Sequence, residues 1–398
     1  MRGPATLRVA YVTDQPLPRT ATDAEQLVSA ASALAAAGAD VDLLLPKHAL
    51  KETASAEDIA AFYEVPPTFG VLPVRGLNPT FRGLEKVVHG WAAARHPHVK
   101  RADLLYTRNL PSVMAALRRG LPTVYETYRP WPTQRPRTRR LFRRLFAHPR
   151  FLGAVLHSQL AAESYRYVGA TEDQLLVAHN GYNPARMAPV LPQAQARHAT
   201  GLPADRPIVV YAGHVSPEKG LGLVLDLAER IPEAEFVLVG SKGTGPIETR
   251  AAIMENVHIV AWQPFSATVP YLYAADVLLI PPTRGPLADV GNTVLPMKTF
   301  LYMAAERPIF GPATPDLLEV IDDGVSGRLV APDNLNAATE VLRGLIGAPD
   351  LRARLAAEAR RHVRTWQERG EVVHAFITRR LHHHRMAQAQ HGTSAPGS

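Results

Sequence analysis

Short runs of aliphatic and β-branched residues alternate with longer Ala- and Leu-rich stretches along this 398-residue chain. That alternation is the pattern of parallel α/β units. It opens with a strand over Leu7–Thr13 and a helix from Asp23 to Ala37, closed by Gly38 as a helix C-terminus favours. Further strands are expected at Val41–Leu45, Leu104–Thr107, Thr123–Glu126, Gly153–His157 and Leu175–Ala178. Residues 184–206, rich in Pro, Ala and Gln, read as a boundary. A second series then predicts strands at Ile208–Ala212, Glu235–Val239, Val257–Val260, Val277–Ile280, Pro308–Phe310 and Arg328–Val330. Helices are expected near 219–230, 266–274, 295–305, 316–322 and 334–346. The pattern therefore predicts an α/β chain of two parallel-sheet domains, 1–185 and 200–365. An amphipathic stretch over 349–385 contains Trp366; its part 366–385 is expected to cross to the first domain, with a disordered tail at 386–398. Two such domains imply a cleft, with ligands at the carboxyl ends of the strands.

Composition narrows the class. With 46% hydrophobic and 20% charged residues the chain reads as soluble and globular, and no run approaches the ~18 apolar residues of a membrane span. The first residues, MRGPATLRVAYVTD, enter a strand without an apolar signal region, and there is no cysteine. These features predict a cytoplasmic protein. The net charge of +8 points to anionic partners, but much of it is local. No acidic residue lies between Glu126 and Glu163, whereas Arg129, Arg135, Arg137, Arg139, Arg140, Arg143, Arg144 and Arg150 do. A local stripe argues against nucleic acid as the partner. Leu141, Phe142, Leu145 and Phe146 interleave with it, so 135–150 is expected to hold an amphipathic helix at an anionic bilayer, at the inner face of the membrane. The alternative is a surface helix whose apolar edge packs on its own sheet. His382, His383 and His384 are adjacent and cannot all face one metal from a helix, so no metal site is expected.

Two segments carry candidate chemistry. In IVVYAGHVSPEKGLGLVLDLAERI a strand ends near Ala212-Gly213, and a turn leads to a helix beginning near Glu218-Lys219-Gly220. Gly213 permits close backbone approach, and Lys219 offers positive charge to a diphosphate. The second segment, 291–310, reads GNTVLPMKTFLYMAAERPIF: a loop, a helix opening near Pro296, and a short strand. Lys298 falls in that helix's first turn, where free N–H groups and the helix dipole favour an anion.

Residues 291–310 resemble a helix of family-4 nucleotide-sugar glycosyltransferases, often written S-P-x-K-x-F-E-Y-M-A-x-G-x-P-I. Gly213, Glu218, Lys219 and Gly220 resemble that family's G-R-L-x-x-E-K-G, whose Arg and Lys hold the donor diphosphate; the Arg position is His214 here. Phe236–Gly240, Val257–Trp262, Val269–Pro282 and Leu317–Val330 also follow family patterns, with Asp276 in a structural role. The resemblance covers most of 205–345 and, more loosely, 1–185. It implies a GT-B fold of two doubly wound, Rossmann-like domains facing a central cleft, and a metal-independent, retaining transfer. Two family glutamates fall at Thr293 and Leu301, and a family glycine at Glu306. In their place Asp289, Gly291, Asn292 and Thr293 of the donor loop are candidate sugar and phosphate contacts, beside Gly213, His214, Lys219 and Lys298.

In the first domain Thr22 or Asp23 is expected to cap the first helix. Tyr106-Thr107-Arg108-Asn109 and Tyr125-Glu126-Thr127-Tyr128-Arg129 end strands where relatives place acceptor-site or near-catalytic residues. Lys219, Lys298, Glu126 and Arg108 are thus the catalytic candidates. The implied function is transfer of a sugar from a nucleotide-diphosphate donor to a lipid-linked, glycan or small-molecule acceptor. The donor is a substrate, and no cofactor is expected. The alternative is a GT-B sugar-nucleotide-binding protein or inactive partner subunit.

Overall fold

The computed structural model describes residues 6–47, 53–75, 83–285 and 294–392. The chain divides into two compact units, one of Met1–Gly181 with Trp366–Ser398 and one of Tyr182–Thr365.

The first unit is built on seven parallel strands, β1 (Arg8–Val12), β2 (Asp40–Lys47), β3 (Gly70–Arg75), β4 (Leu104–Thr107), β5 (Thr123–Thr127), β6 (Phe151–Leu156) and β7 (Leu175–Val177). Their order is β3-β2-β1-β4-β5-β6-β7. β4, β5 and β6 are buried along their whole length, as strands covered on both faces must be. Side chains alternate between faces, so Val124 and Glu126 of β5 point the same way. Val124 shares a core with Tyr11, Leu27 and, from the C-terminal helix Trp366–Gly392, Val373, Phe376 and Ile377. That helix lies so close to helix Thr22–Ala36 that a Cβ on Gly370 would collide with the backbone of Ala33.

The second unit holds six parallel strands, β8 (Ile208–Ala212), β9 (Glu235–Ser241), β10 (Val257–Ala261), β11 (Val277–Leu279), β12 (Ile309–Pro312) and β13 (Arg328–Val330), in the order β10-β9-β8-β11-β12-β13. Asp276, at the start of β11, accepts the Ile208 N–H at 2.7 Å and the Arg197 guanidinium at 2.5 Å. It is a structural clasp between two strands and a helix.

Several sequence expectations need correction. Residues 184–206 are not loose throughout, because Gln193–Thr200 is a helix that buries Ala196 and ties Arg197 to Asp276 within the second unit. Helix Ala56–Tyr63, edge strand β3 and helix Leu84–Arg95 were not anticipated. The first helix is capped by Ala21 without a side-chain bond, since Asp23 is engaged by Arg19 and Gln15, each at 2.7 Å. The 349–385 stretch is broken into helices Pro349–His362 and Trp366–Gly392. The latter runs on through 386–392, where Met386-Ala387-Gln388-Ala389-Gln390 favours helix over the expected disorder. Residues 393–398 lie outside the described residues.

The basic stretch forms helix Arg139–Phe146, but Phe142, Leu145 and Phe146 are buried against Tyr125, Phe151 and Tyr165. Its apolar side is therefore spent on the unit's own core. Arg135, Arg137, Arg140, Arg143 and Arg144 remain exposed, and among the described residues none of them pairs with a carboxylate. No helix among the described residues is long and apolar enough to cross a membrane.

Candidate functional site

In the second unit the candidate residues meet at the carboxyl end of β8. Gly213 follows the strand at φ 148°, and a Cβ there would lie 2.8 Å from Lys298 Nζ and 3.1 Å from the Tyr211 hydroxyl. Glycine is required because the turn approaches a side chain, not merely because it bends. Gly240, at the matching end of β9, is equally constrained, since a Cβ would run into the Gly213 carbonyl.

Lys298 is delivered by helix Met297–Ala304, whose residues Phe300, Tyr302 and Met303 are buried. Its ammonium sits 3.6 Å from the centroid of the Tyr211 ring, a cation–π contact. Tyr302 stands four residues on, on the same helix face, and its hydroxyl accepts the Ala212 N–H at 2.8 Å. One helix face thus braces the β8 turn at two points. The role of Tyr302 was not foreseen, although its spacing from Lys298 was in view. Burial, with the neighbouring Lys219 ammonium, holds the Lys298 pKa well below the ordinary lysine value. Among the described residues no carboxylate pairs with it.

Lys219 is exposed, in the short 3-10 turn Pro217–Lys219 rather than at the helix start. Gly220, at φ 76°, breaks the chain before helix Leu221–Arg230 because a side chain there would strike Thr283. His214 is exposed, and its carbonyl accepts from the Tyr211 hydroxyl at 2.9 Å. The geometry therefore brings Gly213, His214, Lys219 and Lys298 together as a cationic turn beside a helix N-terminus. Leu301 is half-buried and packs on the unit's core. Glu306 takes the left-handed conformation, φ 54°, that a glycine would adopt freely. Asp289, Gly291, Asn292 and Thr293 lie outside the described residues.

In the first unit Glu126 and Arg108 form part of a buried network. Glu126 is fully buried at the end of β5. Its Oε1 accepts from Arg108 at 2.9 Å, from Arg369 of the C-terminal helix at 2.7 Å and from His157 Nε2 at 2.7 Å. Its Oε2 accepts from the Tyr11 hydroxyl at 3.0 Å. Gln26 donates to His157 Nδ1 at 2.9 Å and to Asn180 at 2.6 Å, and accepts from Arg108 at 3.0 Å. The His157 ring is therefore assigned as neutral with its proton on Nε2.

Burial alone would raise the Glu126 pKa, but Arg108 and Arg369 hold it well below the carboxylate range. Burial is also the main cause that pushes His157 down to about 4, against the pull of Glu126. Arg369 is anchored by the carbonyl of His179 at 3.1 Å. Sequence reading missed Arg369 and His157. Arg369 lies 243 positions from Glu126, and no local pattern signals a contact so distant.

Residues 206–347 match the family model described as "Glycosyl transferases group 1". The D-inositol 3-phosphate glycosyltransferase of Streptomyces scabiei is 29% identical over 244 residues, 56% of this chain and 53% of that protein. That of Mycobacterium avium is 29% identical over 224 residues, 50% of each chain. The chain thus spans about half the length of these curated relatives. Among solved structures, Anabaena Alr3699/HepE in complex with UDP-glucose superposes with TM-score 0.64 at 14% identity, over 96% of this chain and 100% of that one. A Rickettsia africae glycosyltransferase gives TM-score 0.70 at 12% identity, covering 96% and 98%. Sucrose-phosphate synthase of Thermosynechococcus elongatus gives 0.67 at 18%, covering 98% and 100%. At these identities the likeness shows a shared fold.

Proposed function

We propose that this chain, whose residues 206–347 match the group 1 glycosyl transferase model and whose fold is that of GT-B glycosyltransferases, is a sugar transferase. It moves a glycosyl group from a nucleoside-diphosphate sugar to a hydroxyl-bearing acceptor. The observation that carries this is the β8 turn, where Lys298 is held against Tyr211 without a carboxylate partner among the described residues and close enough to Lys219 to feel its charge. A half-buried lysine in that state gains most from a bound anion, because the anion restores the solvation that burial removed.

In this reading the sugar C1–O bond to the diphosphate breaks while the acceptor oxygen bonds to C1, and the acceptor proton leaves to the departing phosphate. Lys298, Lys219, His214 and the N-terminus of helix Met297–Ala304 stabilise the developing negative charge. Retention of configuration and a metal-independent site are the family traits this reading adopts. The donor class is supported by Alr3699/HepE, solved with UDP-glucose and with UDP and glucose. The test incubates the full chain with UDP-, GDP-, ADP- and dTDP-sugars, with and without acceptor extract, and follows nucleoside diphosphate release. Release or transfer from at least one donor is expected. Tight nucleotide binding with no turnover on any acceptor would instead make it a binding protein.

The exposed arginines of 135–144 are proposed to meet an anionic surface by charge alone, because their helix has no free apolar side to insert. Co-sedimentation with anionic vesicles should be lost in Arg140→Glu/Arg143→Glu/Arg144→Glu and in high salt. Salt-resistant sedimentation would contradict this.

A further inference from the structure

The buried network of the first unit holds two guanidiniums against one carboxylate. Arg108 and Arg369 share Oε1 of Glu126, and among the described residues neither has another acidic partner. His157 adds no charge, because burial keeps it neutral. One positive charge is therefore left over in a site where uncompensated charge is strongly unfavourable. A neutral donor at position 369 could still bond Glu126 without that penalty. A purely structural clasp does not explain the surplus; an anion that binds there does.

The two guanidiniums are not equally placed to receive one. Arg369 is sealed, with 3% of its side chain exposed, whereas 14% of Arg108 reaches solvent at the carboxyl end of β4. Arg108 spends its Nη1 on Gln26 and the Asp23 carbonyl and its Nη2 on Glu126, and its buried Nε–H has no partner among the described residues. The same end of the sheet carries further polar and aromatic groups. Lys86 meets Asp14 at 2.8 Å with half its side chain exposed. The Tyr128 ring lies 6.2 Å from that of His157, and Arg129 stacks over Tyr128 at 5.6 Å.

We propose that Arg108, backed by Glu126 and Arg369, is the receptor for an anionic group on the sugar acceptor, a phosphate monoester or a carboxylate. Arg369 is a positioning residue: it fixes the Glu126 carboxylate, which in turn fixes the Arg108 fork. The inference rests on the transferase reading, since it names the class of its acceptor.

The test is calorimetric titration of the full chain with glycerol 3-phosphate, glucuronate and, as neutral controls, glycerol and glucose. One or both anions bind and the neutral polyols do not. Arg108→Gln weakens anion binding roughly tenfold or more. Arg369→Gln weakens it too, and Arg369→Lys restores part of the loss, which mere loss of packing would not do. Nucleoside diphosphates still bind Arg108→Gln, so failure of the anion subsite is distinct from failure of the transferase reading. If circular dichroism shows Arg108→Gln unfolded, Arg108→Lys carries the same comparison. The proposal is overturned if neither anion binds the wild type, or if the folded Arg108 variant binds it as tightly.

Discussion

The neutral His157 gives the first unit a pH dependence that can be worked out in advance. In the fold the ring is sealed, with Nε2–H donated to Glu126 and Nδ1 accepting from Gln26. Its pKa falls from 6.5 to about 4, chiefly through burial. The unfolded chain therefore takes up a proton below about pH 6.5 that the folded chain refuses until about pH 4. In that window the unfolded state binds more protons, so stability rises with pH and is lost as pH falls. The full loss corresponds to about 3 kcal/mol. His96, His148 and His384 shift in the same direction, again by burial, so only a difference measurement isolates His157. His157→Gln is the suitable variant, because an amide can still donate to Glu126 but does not titrate. Denaturant unfolding of both proteins at pH 7, 6, 5 and 4.5, read by hydrogen exchange within residues 6–181, should show the stability difference narrowing as pH drops. Parallel pH profiles would refute the buried neutral histidine and with it the assigned network.

Three further outcomes follow from local geometry. Gly213→Ala should weaken nucleoside diphosphate binding at least several-fold while the fold survives, because the new Cβ displaces Lys298 Nζ, a flexible chain end; unchanged affinity by calorimetry would count against the turn. Gly240→Ala should instead reduce soluble, folded protein, since its Cβ meets the Gly213 backbone, which cannot move aside; a normal melting temperature would be unexpected. Glu306→Gly should raise stability by up to about 1 kcal/mol by relieving the left-handed conformation, the exposed pair with Arg360 at 3.4 Å contributing little; destabilisation in denaturant melts would contradict this.

Much of the frame was legible in the chain because parallel strands buried on both faces leave unbroken apolar runs. β4, β8 and β13 begin and end at the residues those runs mark. β3 was not legible, since Gly70-Val-Leu-Pro-Val-Arg75 carries a proline and an edge strand needs burial on fewer sides. The helix at 139–146 was legible as amphipathic, but no local pattern says whether its apolar side meets lipid or its own sheet. Lys298 could be found because a helix N-terminus concentrates its signal within a few residues. Arg369 could not, because its meaning depends on Glu126, which only the folded chain brings within 2.7 Å.

The central claim is that Lys298 receives the donor diphosphate. Burial and Lys219 lower the Lys298 pKa, and a bound anion raises it again, so anion binding is coupled to proton uptake at pH values between the two. Calorimetric titration with UDP, GDP, ADP and dTDP at mildly alkaline pH, repeated in buffers of different ionisation enthalpy, measures that uptake directly. The account predicts binding of at least one nucleotide with net proton uptake, and loss of both affinity and uptake in Lys298→Met. Binding with no proton linkage, or with the same linkage in Lys298→Met, would contradict it.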